Sequence, residues 1–248
     1  MMMRRTDPAA VEAAKAKKVL AEIIGAFDNF VVRAYCRGRF IILHQRFLDE
    51  IGQYLPDDGP ILDIGCGFGL FSLYFARQAP GRRITGVDLN ERRIEWARRA
   101  ATRLGVKNVD YLVGNATQFQ PPGGLSCAYM LDIVHHIAPP AAEELLDALY
   151  QALAPGGMLI VKDVTTKPAY KRWFTWALDK AMDAQAEVNY WPKRDLEARL
   201  RRSGFIVHSH AMIDLLPYPH QLYVCRKPAY LSGGASSTLP AEPEPSIK

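Results

Sequence analysis

The stretch Pro60-Ile61-Leu62-Asp63-Ile64-Gly65-Cys66-Gly67-Phe68-Gly69-Leu70-Phe71 decides the fold of this chain. Its apolar run, residues 61–64, predicts one short buried β-strand. Glycines in alternate positions follow at once, and residues 70–76 then read as a helix packed on the sheet. Such a turn lets a ligand lie directly against the main chain, at a helix N-terminus whose first N–H groups have no partner within the helix.

Asp63 is the polar residue of that strand. A buried carboxylate is costly unless hydrogen-bond donors reach it. We therefore expect it to accept hydrogen bonds from the N–H groups of the glycine loop or from an ammonium group of the ligand. Taken alone, Gly-x-Gly-x-Gly is also compatible with a plain strand-to-helix turn.

A second predicted strand, residues 83–88, ends in Asp88. An acid at the end of the second strand suits a ribose diol, because one carboxylate can accept from both hydroxyls. Dinucleotide-binding folds prefer Gly-x-Gly-x-x-Gly, and Leu70 stands where their third glycine would be. The loop therefore has no special place for a pyrophosphate.

Five motifs in order resemble those of the class I S-adenosylmethionine-dependent methyltransferases, in their small-molecule branch. They are Asp63–Gly69, Asp88, Gly114–Ala116, Leu131–Ile137 and Leu153–Leu159. The resemblance runs from about residue 60 to residue 164. It implies an α/β fold with a doubly wound, seven-stranded, mostly parallel sheet of Rossmann-like type, with strand order 3-2-1-4-5-7-6 and an antiparallel seventh strand. It also implies S-adenosylmethionine as the cofactor.

The same resemblance implies which residues of this chain hold the cofactor. They are Asp63, Gly65, Cys66, Gly67, Gly69, Asp88, Leu89, Asn115, Ala116, Leu131 and Asp132. Leu89 and the pair Asn115-Ala116 would flank the adenine, and Asp132 would serve the methionine part or orient the loop after the fourth strand. The family often has Asp where this chain has Asn115, but an amide oxygen can still accept from an exocyclic amine.

The composition divides the chain into three parts. Residues 1–56 are expected to form a helical extension, and residues 57–227 the cofactor-binding domain. Within that domain an aromatic insertion, about residues 165–191, is expected to cap the substrate pocket, because ligands of such sheets bind outside the carboxyl ends of the strands. Residues 228–248 turn to Pro, Ser, Gly, Ala and Glu and are predicted to be disordered.

Two helices are predicted in the extension, over about residues 8–27 and 29–54, and the second is expected to be broken at Gly38, a point where it can bend. We expect the second helix to cover the cofactor, with Tyr35 or Arg37 near its methionine carboxylate. Arginines are interleaved with its apolar residues, so two alternatives stay open. It could instead lie on anionic lipid as an interfacial helix, or simply close one face of the domain.

His135 and His136 follow the fourth strand, near where the methyl donor is expected. Histidine titrates near neutrality, so either can take a proton from a hydroxyl or phenol acceptor. We prefer His136 slightly, because it lies further into the loop, and a structural role for either histidine remains the alternative. The sequence shows no metal-ligand constellation, which disfavours a metal-dependent catechol mechanism. The Asn-Pro-Pro-Tyr signature of enzymes that methylate amide or base nitrogens is also absent after this strand.

The aromatic insertion and the basic, amphipathic N-terminus favour an apolar or aromatic small-molecule acceptor, such as a phenol, a quinone precursor, a polyketide or a lipid-like compound. An RNA acceptor or a non-catalytic cofactor-binding protein are the alternatives. The net charge of +5 and sequence pI of about 9.0 are compatible with an anionic partner. However, no basic face is concentrated in the sequence, which disfavours nucleic acid.

The start of the chain lacks the apolar core of a secretory signal, and no apolar run approaches the roughly 20 residues that span a bilayer. We expect a cytoplasmic protein that can touch an anionic membrane surface. The four cysteines are far apart, so we expect neither a disulfide framework nor a zinc site.

Overall fold

A computed structural model describes residues 8–166, 188–212 and 219–229, and in residues 8–15 and 42 only the backbone. These residues form a sheet with the order β3-β2-β1-β4-β5-β7-β6. The strands are β1 (Asp58–Ile64), β2 (Gly81–Asp88), β3 (Val109–Val113), β4 (Leu125–Leu131), β5 (Leu153–Val164), β6 (Ile206–Ala211) and β7 (His220–Arg226). Only β7 runs antiparallel to its neighbours, β5 and β6. The Rossmann-like fold and its strand order are therefore confirmed.

Helices cover both faces of this sheet. They are α1 (Pro8–Gly25), α2 (Phe30–Ile42), α3 (Gln45–Gly52), α4 (Leu70–Gln78), α5 (Glu91–Leu104), α6 (Pro139–Ala152) and α7 (Lys193–Arg202), with a 3-10 turn at Val134–His136. Two of them begin at a capping asparagine: Asn29 Oδ1 accepts from Val31 N at 2.8 Å, and Asn90 Oδ1 accepts from Arg93 N at 3.1 Å. The predicted aromatic insertion lies mostly outside the described residues, and the predicted disordered tail almost entirely so.

The helix predicted over residues 29–54 is two helices, and the break predicted at Gly38 lies instead at residues 43–44. α2 runs through Gly38 to Ile42, and α3 starts at Gln45. One glycine inside a helix costs only about 1 kcal/mol relative to alanine. The buried residues Val32, Cys36 and Phe40 hold α2 to the core on both sides of Gly38, so the helix continues.

β5 contains a Pro-Gly-Gly sequence, although these residues usually interrupt strands. Pro155 and the two glycines after it lie inside β5, which begins at Leu153. Backbone hydrogen bonds extend the strand there, since Lys227 N donates to Gly157 O at 2.9 Å and Gly156 N donates to Lys227 O at 3.1 Å. Pairing with the chain after β7 thus outweighs the usual role of Pro and Gly as breakers.

The sheet is buried on both faces, as a mostly parallel sheet requires. On one face, side chains such as Ile61 and Tyr129 pack with the helices before β1 and with α4 and α5. On the other face, side chains such as Leu62 and Met130 pack with α6 and α7. The N-terminal helices share the first core, and Arg77 Nη2 on α4 contacts Glu22 Oε2 on α1 at 2.5 Å. The helices before β1 are therefore integral to the domain's packing.

Candidate active site

The glycine loop between β1 and α4 combines two kinds of glycine. Gly65, Gly67 and Gly69 all have positive φ, at 76°, 56° and 73°. A Cβ added at Gly65 would lie 2.8 Å from Ile133 Cγ1, and one added at Gly69 would collide with the hydroxyl of Tyr111. A Cβ at Gly67 would meet nothing within 4 Å. Packing therefore demands glycine at two positions, and at Gly67 the bare backbone faces open space where a ligand fits.

Asp88 ties this loop to the next strand. Its Oδ2 accepts from Gly67 N at 2.9 Å, and its Oδ1 accepts from Asn90 N at 2.9 Å at the start of α5. The neighbouring Leu89 is 71% exposed, so its apolar side chain is open to a ligand at this edge. An acceptor carboxylate, an open stretch of backbone and a bare apolar side chain fit the ribose and adenine of an adenosyl cofactor.

Asp63 does not reach the loop in the way that the sequence suggested. It is buried, and its Oδ2 accepts from the hydroxyl of Tyr129 at 3.0 Å. These two residues are paired across β1 and β4. Burial raises the pKa of Asp63 to about 7, although the hydrogen bond from Tyr129 opposes this shift. A phenol inside the sheet thus takes the place expected for the N–H groups of the glycine loop, whereas an ammonium group of the ligand as a partner of Asp63 stays a prediction.

Four other expected cofactor residues are placed by their local packing. Asn115 Oδ1 accepts from Thr117 N at 3.1 Å and from Thr117 Oγ1 at 2.9 Å, so this oxygen shapes the turn after β3. Ala116 follows it, half-buried against the core under the sheet. Cys66 and Leu131 are buried. The sulfur of Cys66 packs against Gly86, where an added Cβ would lie only 2.9 Å from it. Cys66 therefore contributes a buried side chain that packs under the loop, and its backbone N donates to Val87 O at 3.1 Å.

Asp132 stands at the end of β4 with φ 58°, a left-handed conformation that costs energy for a non-glycine residue. Its carboxylate contacts Lys162 Nζ and lies 3.0 Å from Arg39 Nη2. Burial would raise the pKa of Asp132, but the charges of Lys162 and Arg39 outweigh burial and hold it well below its usual range. Burial also lowers the pKa of the fully buried Lys162, against the opposing charge of Asp132.

The arginine of α2 that reaches this sheet edge is Arg39, whereas Arg37 is exposed. Residues two positions apart on a helix point in different directions, so Arg37 does not share the contact of Arg39 with Asp132. The expected contact of Arg37 with the methionine carboxylate stays a prediction. Tyr35 lies beside the glycine loop, since its ring centroid is 5.2 Å from that of Phe68 in the loop. α2 therefore packs against the loop through Tyr35 and against the end of β4 through Arg39.

The two histidines after β4 have different surroundings. His135 is buried, and its Nδ1 contacts Oδ1 of Asp163, while its backbone N donates to Oδ2 of the same residue at 3.0 Å. The ring of Tyr190 stacks on it at 5.5 Å, with 24° between the planes. His136 is exposed, with its ring 4.0 Å from that of His135.

Sequence reasoning missed Arg39, Lys162 and Asp163 as members of the site. The last two stand next to each other near the end of an otherwise apolar strand, Leu159-Ile160-Val161-Lys162-Asp163-Val164. Charged residues are almost never fully buried unless they are paired, so such a position is itself a signal. Nothing in the sequence says that their partners are Asp132 and His135, which follow the neighbouring strand.

Comparison with known proteins assigns the fold to a family. A family profile described as a methyltransferase domain matches residues 34–210. The ubiquinone biosynthesis O-methyltransferase of Xylella fastidiosa (strain 9a5c) is 37% identical over 123 residues, which are 47% of this chain and 47% of that protein. The S-adenosyl-L-methionine-dependent Diels-Alderase iccD of Talaromyces variabilis is 31% identical over 119 residues, 46% of this chain and 39% of that protein. The chain thus spans about half the length of the curated relatives it matches, or less.

Solved structures agree on the architecture. The apo form of the S-adenosylmethionine-dependent methyltransferase SibL superposes with a TM-score of 0.62 at 22% identity, over 80% of this chain and 58% of that chain. The [4+2]-cyclase SpnF gives a TM-score of 0.63 at 18% identity, over 75% and 81%. At this identity these two support the fold alone. Because the family profile covers more than half of the chain and the sheet order and glycine loop agree with it, the chain belongs to the class I S-adenosylmethionine-dependent methyltransferases.

Proposed function

We propose that this protein methylates a small apolar or aromatic acceptor, such as a phenol, a quinone precursor, a polyketide or a lipid-like compound, on oxygen. The observation that carries the proposal is the meeting of an open glycine loop, Asp88 and a carboxylate-held histidine at one edge of the sheet. When bound, S-adenosylmethionine supplies a methyl group on a positively charged sulfur, and its transfer forms a C–O bond while the S–CH3 bond leaves both electrons on sulfur.

The cofactor side of this edge binds and orients. Asp88 can accept from the ribose hydroxyls while it holds Gly67 N. Leu89 and Ala116 offer apolar surface to the adenine, and the half-buried Asn115 offers its amide. These residues need only fix the methyl donor and keep water away, because positioning supplies much of the rate of such a transfer.

The acceptor side handles the proton. His135 is the better placed of the two histidines to take it, because Asp163 holds its ring while His136 is exposed. The slight sequence preference for His136 rested on its place in the loop alone. An aromatic or apolar acceptor is supported by the rings of Tyr35 and Phe68 and by that of Tyr190, which lie around this edge. The name of the Xylella relative, an O-methyltransferase, supports oxygen as the receiving atom.

The test is a methyl-transfer screen with S-adenosylmethionine carrying a labelled methyl group. Purified protein is offered phenols, quinone precursors, polyketides, lipid extracts and RNA. We expect label in a phenol or quinone-like product, with the methyl on oxygen by NMR, and no label when Asp88 is replaced by alanine. Label on RNA or on carbon would contradict the acceptor or the receiving atom. Cofactor binding with no labelled product in any fraction would favour a cofactor-binding protein without methyl transfer.

A second proposal concerns contact with an anionic membrane surface. α2 has arginines and no acidic residue, and its outer face exposes Phe30 (80%), Val31 (57%) and Ile41 (66%) beside the exposed Arg37. Basic and apolar residues on one helix face suit the boundary between anionic head groups and acyl chains. No helix in the described part of the chain combines the length and apolar character needed to cross a bilayer.

Vesicle sedimentation tests this contact. Wild-type protein should sediment with vesicles containing phosphatidylglycerol and stay in solution with phosphatidylcholine vesicles. The double variant Phe30→Ser, Ile41→Ser should lose most of this binding, whereas Ile206→Ser, which removes an exposed apolar residue on β6, should not. Equal binding to neutral vesicles, or none to anionic ones, would refute the proposal.

A further inference from the structure

Arg39, on α2, contacts two elements that meet at the carboxyl edge of the sheet. Its Nη2 lies 3.0 Å from Oδ2 of Asp132, where the chain leaves β4. Its guanidinium also lies over the ring of Phe71, with Cζ 5.8 Å from the ring centroid. Phe71 is in the first turn of α4, directly after the glycine loop. One guanidinium thus joins α2 to the start of α4 and to the end of β4.

Asp132 determines the direction in which the chain leaves β4. Its φ of 58° is left-handed, a conformation that a non-glycine residue keeps only where its surroundings hold it. Its backbone N donates to Lys162 O at 2.8 Å, and its Oδ1 contacts Lys162 Nζ, while its Oδ2 accepts from Arg39. Lys162 belongs to the neighbouring strand β5, whereas Arg39 comes from a helix outside the sheet. The conformation of this turn therefore depends in part on the position of α2.

The turn after β4 rests in turn on the glycine loop. Ile133 follows Asp132, and its side chain lies so close to the backbone of Gly65 that a Cβ added there would be 2.8 Å from Ile133 Cγ1. Gly65 N donates to Val87 O at 2.8 Å, near the end of β2. Contacts therefore lead from α2, through the turn after β4, to the loop that is expected to hold the cofactor.

Arg39 is a partner that Asp132 can lose without unfolding the site. The side chain of Arg39 is 19% exposed and that of Asp132 is 12% exposed, so their ion pair reaches solvent at the sheet edge. Asp132 keeps Lys162 as a partner when Arg39 moves away, so no buried charge is left alone. The Arg39–Asp132 pair can therefore form and break while the sheet below it stays intact.

We propose that Arg39 is a positioning residue that couples the docking of α2 to cofactor binding. With Arg39 on Asp132, the turn after β4 rests on the glycine loop and this edge is set for S-adenosylmethionine. Coupling of this kind is reciprocal, so bound cofactor favours the docked position of α2 by the same factor by which docked α2 favours the cofactor. The inference goes beyond the proposed function, because it concerns cofactor binding and requires no methyl acceptor.

The first test is the affinity for S-adenosylmethionine, measured by titration calorimetry. We expect Arg39→Gln to weaken binding by about 10-fold, and Arg39→Lys, which keeps the charge, to weaken it by less than about 3-fold. Arg46→Gln, an exposed change of the same kind on α3, is the matched control and should bind as the wild type does. Wild-type affinity in a folded Arg39→Gln variant would overturn the proposal, and a lysine variant as weak as the glutamine variant would contradict the ion pair as the link.

The second test asks whether the effect passes through the turn after β4. Ile133→Ala alone should weaken binding by about 3–10-fold, and the double variant with Arg39→Gln by no more than about 10-fold, because both changes interrupt the same chain of contacts. Losses that multiply in the double variant would mean that Arg39 acts independently of the turn, and would overturn the proposal.

The third test reads the coupling from the side of α2, by hydrogen exchange with S-adenosylmethionine at a concentration that saturates every variant. Residues 33–42 should gain protection on binding in the wild type and in Arg46→Gln, but not in Arg39→Gln. A purely structural ion pair would change their protection equally in the free and the bound protein. Equal gains in the wild type and Arg39→Gln would overturn the proposal. These results would leave the proposed methyl transfer standing, and failure of the acceptor screen would leave the coupling standing.

Discussion

The two halves of the sheet edge are built in different ways. At the ends of β1 and β2, the site is mostly backbone: glycines with positive φ, N–H groups, and Asp88 bonded to the loop. At the ends of β4 and β5, it is made of buried charges: Asp132 with Lys162, and His135 with Asp163. A backbone site can receive the invariant part of a cofactor, whereas buried charge pairs orient reactive side chains. Changes in the second half should therefore cost more stability.

The largest effect is expected from Asp132→Ala. Removing the carboxylate leaves Lys162, which is 0% exposed, without the partner that offsets its burial. Breaking a buried ion pair from one side costs about 3–5 kcal/mol. Urea unfolding at pH 7 should show this loss, and Asp110→Ala should stay within about 0.5 kcal/mol of the wild type. A similar small loss in Asp132→Ala would mean that the pair is not structural.

Asp63 gives the second prediction, through pH. Its pKa of about 7 in the folded protein lies above the ordinary value near 3.8, so the folded state binds the extra proton. The unfolding free energy should therefore fall as pH rises from about 4 to 7, by about 2–4 kcal/mol from this group. Asp63→Asn, which can still accept from Tyr129, should remove this slope in urea titrations at several pH values. An unchanged slope would place the proton elsewhere.

The glycine loop supplies the third prediction. Gly69→Ala adds a Cβ that collides with Tyr111, so overpacking and the positive φ together should cost about 2–4 kcal/mol of stability. Gly67→Ala adds strain alone, about 1–2 kcal/mol, because a Cβ there meets nothing within 4 Å. Among the variants that fold, Gly67→Ala should weaken cofactor binding more than Gly69→Ala, because the backbone of Gly67 faces the open side of the loop. Equal losses of stability in both variants would show that the loop is not divided in this way.

The sequence predicted the backbone half of the sheet edge better than the half made of buried charge pairs. The glycines and Asp88 could be read from local spacing, because a turn with positive φ favours glycine wherever it occurs. The strand order was implied by the family resemblance of the ordered motifs. Asp132 and its partner Lys162 are 30 positions apart in the sequence, and His135 and its partner Asp163 are 28 positions apart. They depend on the register of β4 against β5, which no local pattern records. The same holds for Arg39, because the rotation of α2 against the sheet decides that it, and not Arg37, reaches Asp132.

Asn115→Leu should have a smaller effect than the loop and charge variants. The amide oxygen bonds Thr117, so its loss disturbs the turn beside the adenine as well as any contact with the base. We expect the affinity for S-adenosylmethionine to weaken by about 1–3 kcal/mol, measured by calorimetry. Asn115→Asp keeps the oxygen and should stay close to wild type. Unchanged affinity in the leucine variant would remove Asn115 from the site.

The smallest effect is expected for α2, the helix predicted to cover the cofactor. It contacts both halves of the sheet edge, the glycine loop through Tyr35 and the end of β4 through Arg39. Hydrogen exchange should show residues 33–42 more protected when S-adenosylmethionine is bound. Protection that arises only with anionic vesicles would indicate that α2 contacts a membrane through its outer face and does not cover the cofactor. No change in either condition would leave α2 as a helix that buttresses the core.

The central claim is that the glycine loop and Asp88 bind S-adenosylmethionine, and titration calorimetry on the wild type and Asp88→Ala tests it most directly. We expect micromolar-range binding, of about −8 kcal/mol, in the wild type. The variant should lose binding, because it lacks both the ribose acceptor and the hydrogen bonds to Gly67 N and Asn90 N. Asp110→Ala should bind as the wild type does. Tight binding of NAD, with no heat from S-adenosylmethionine or its demethylated product, would contradict the account.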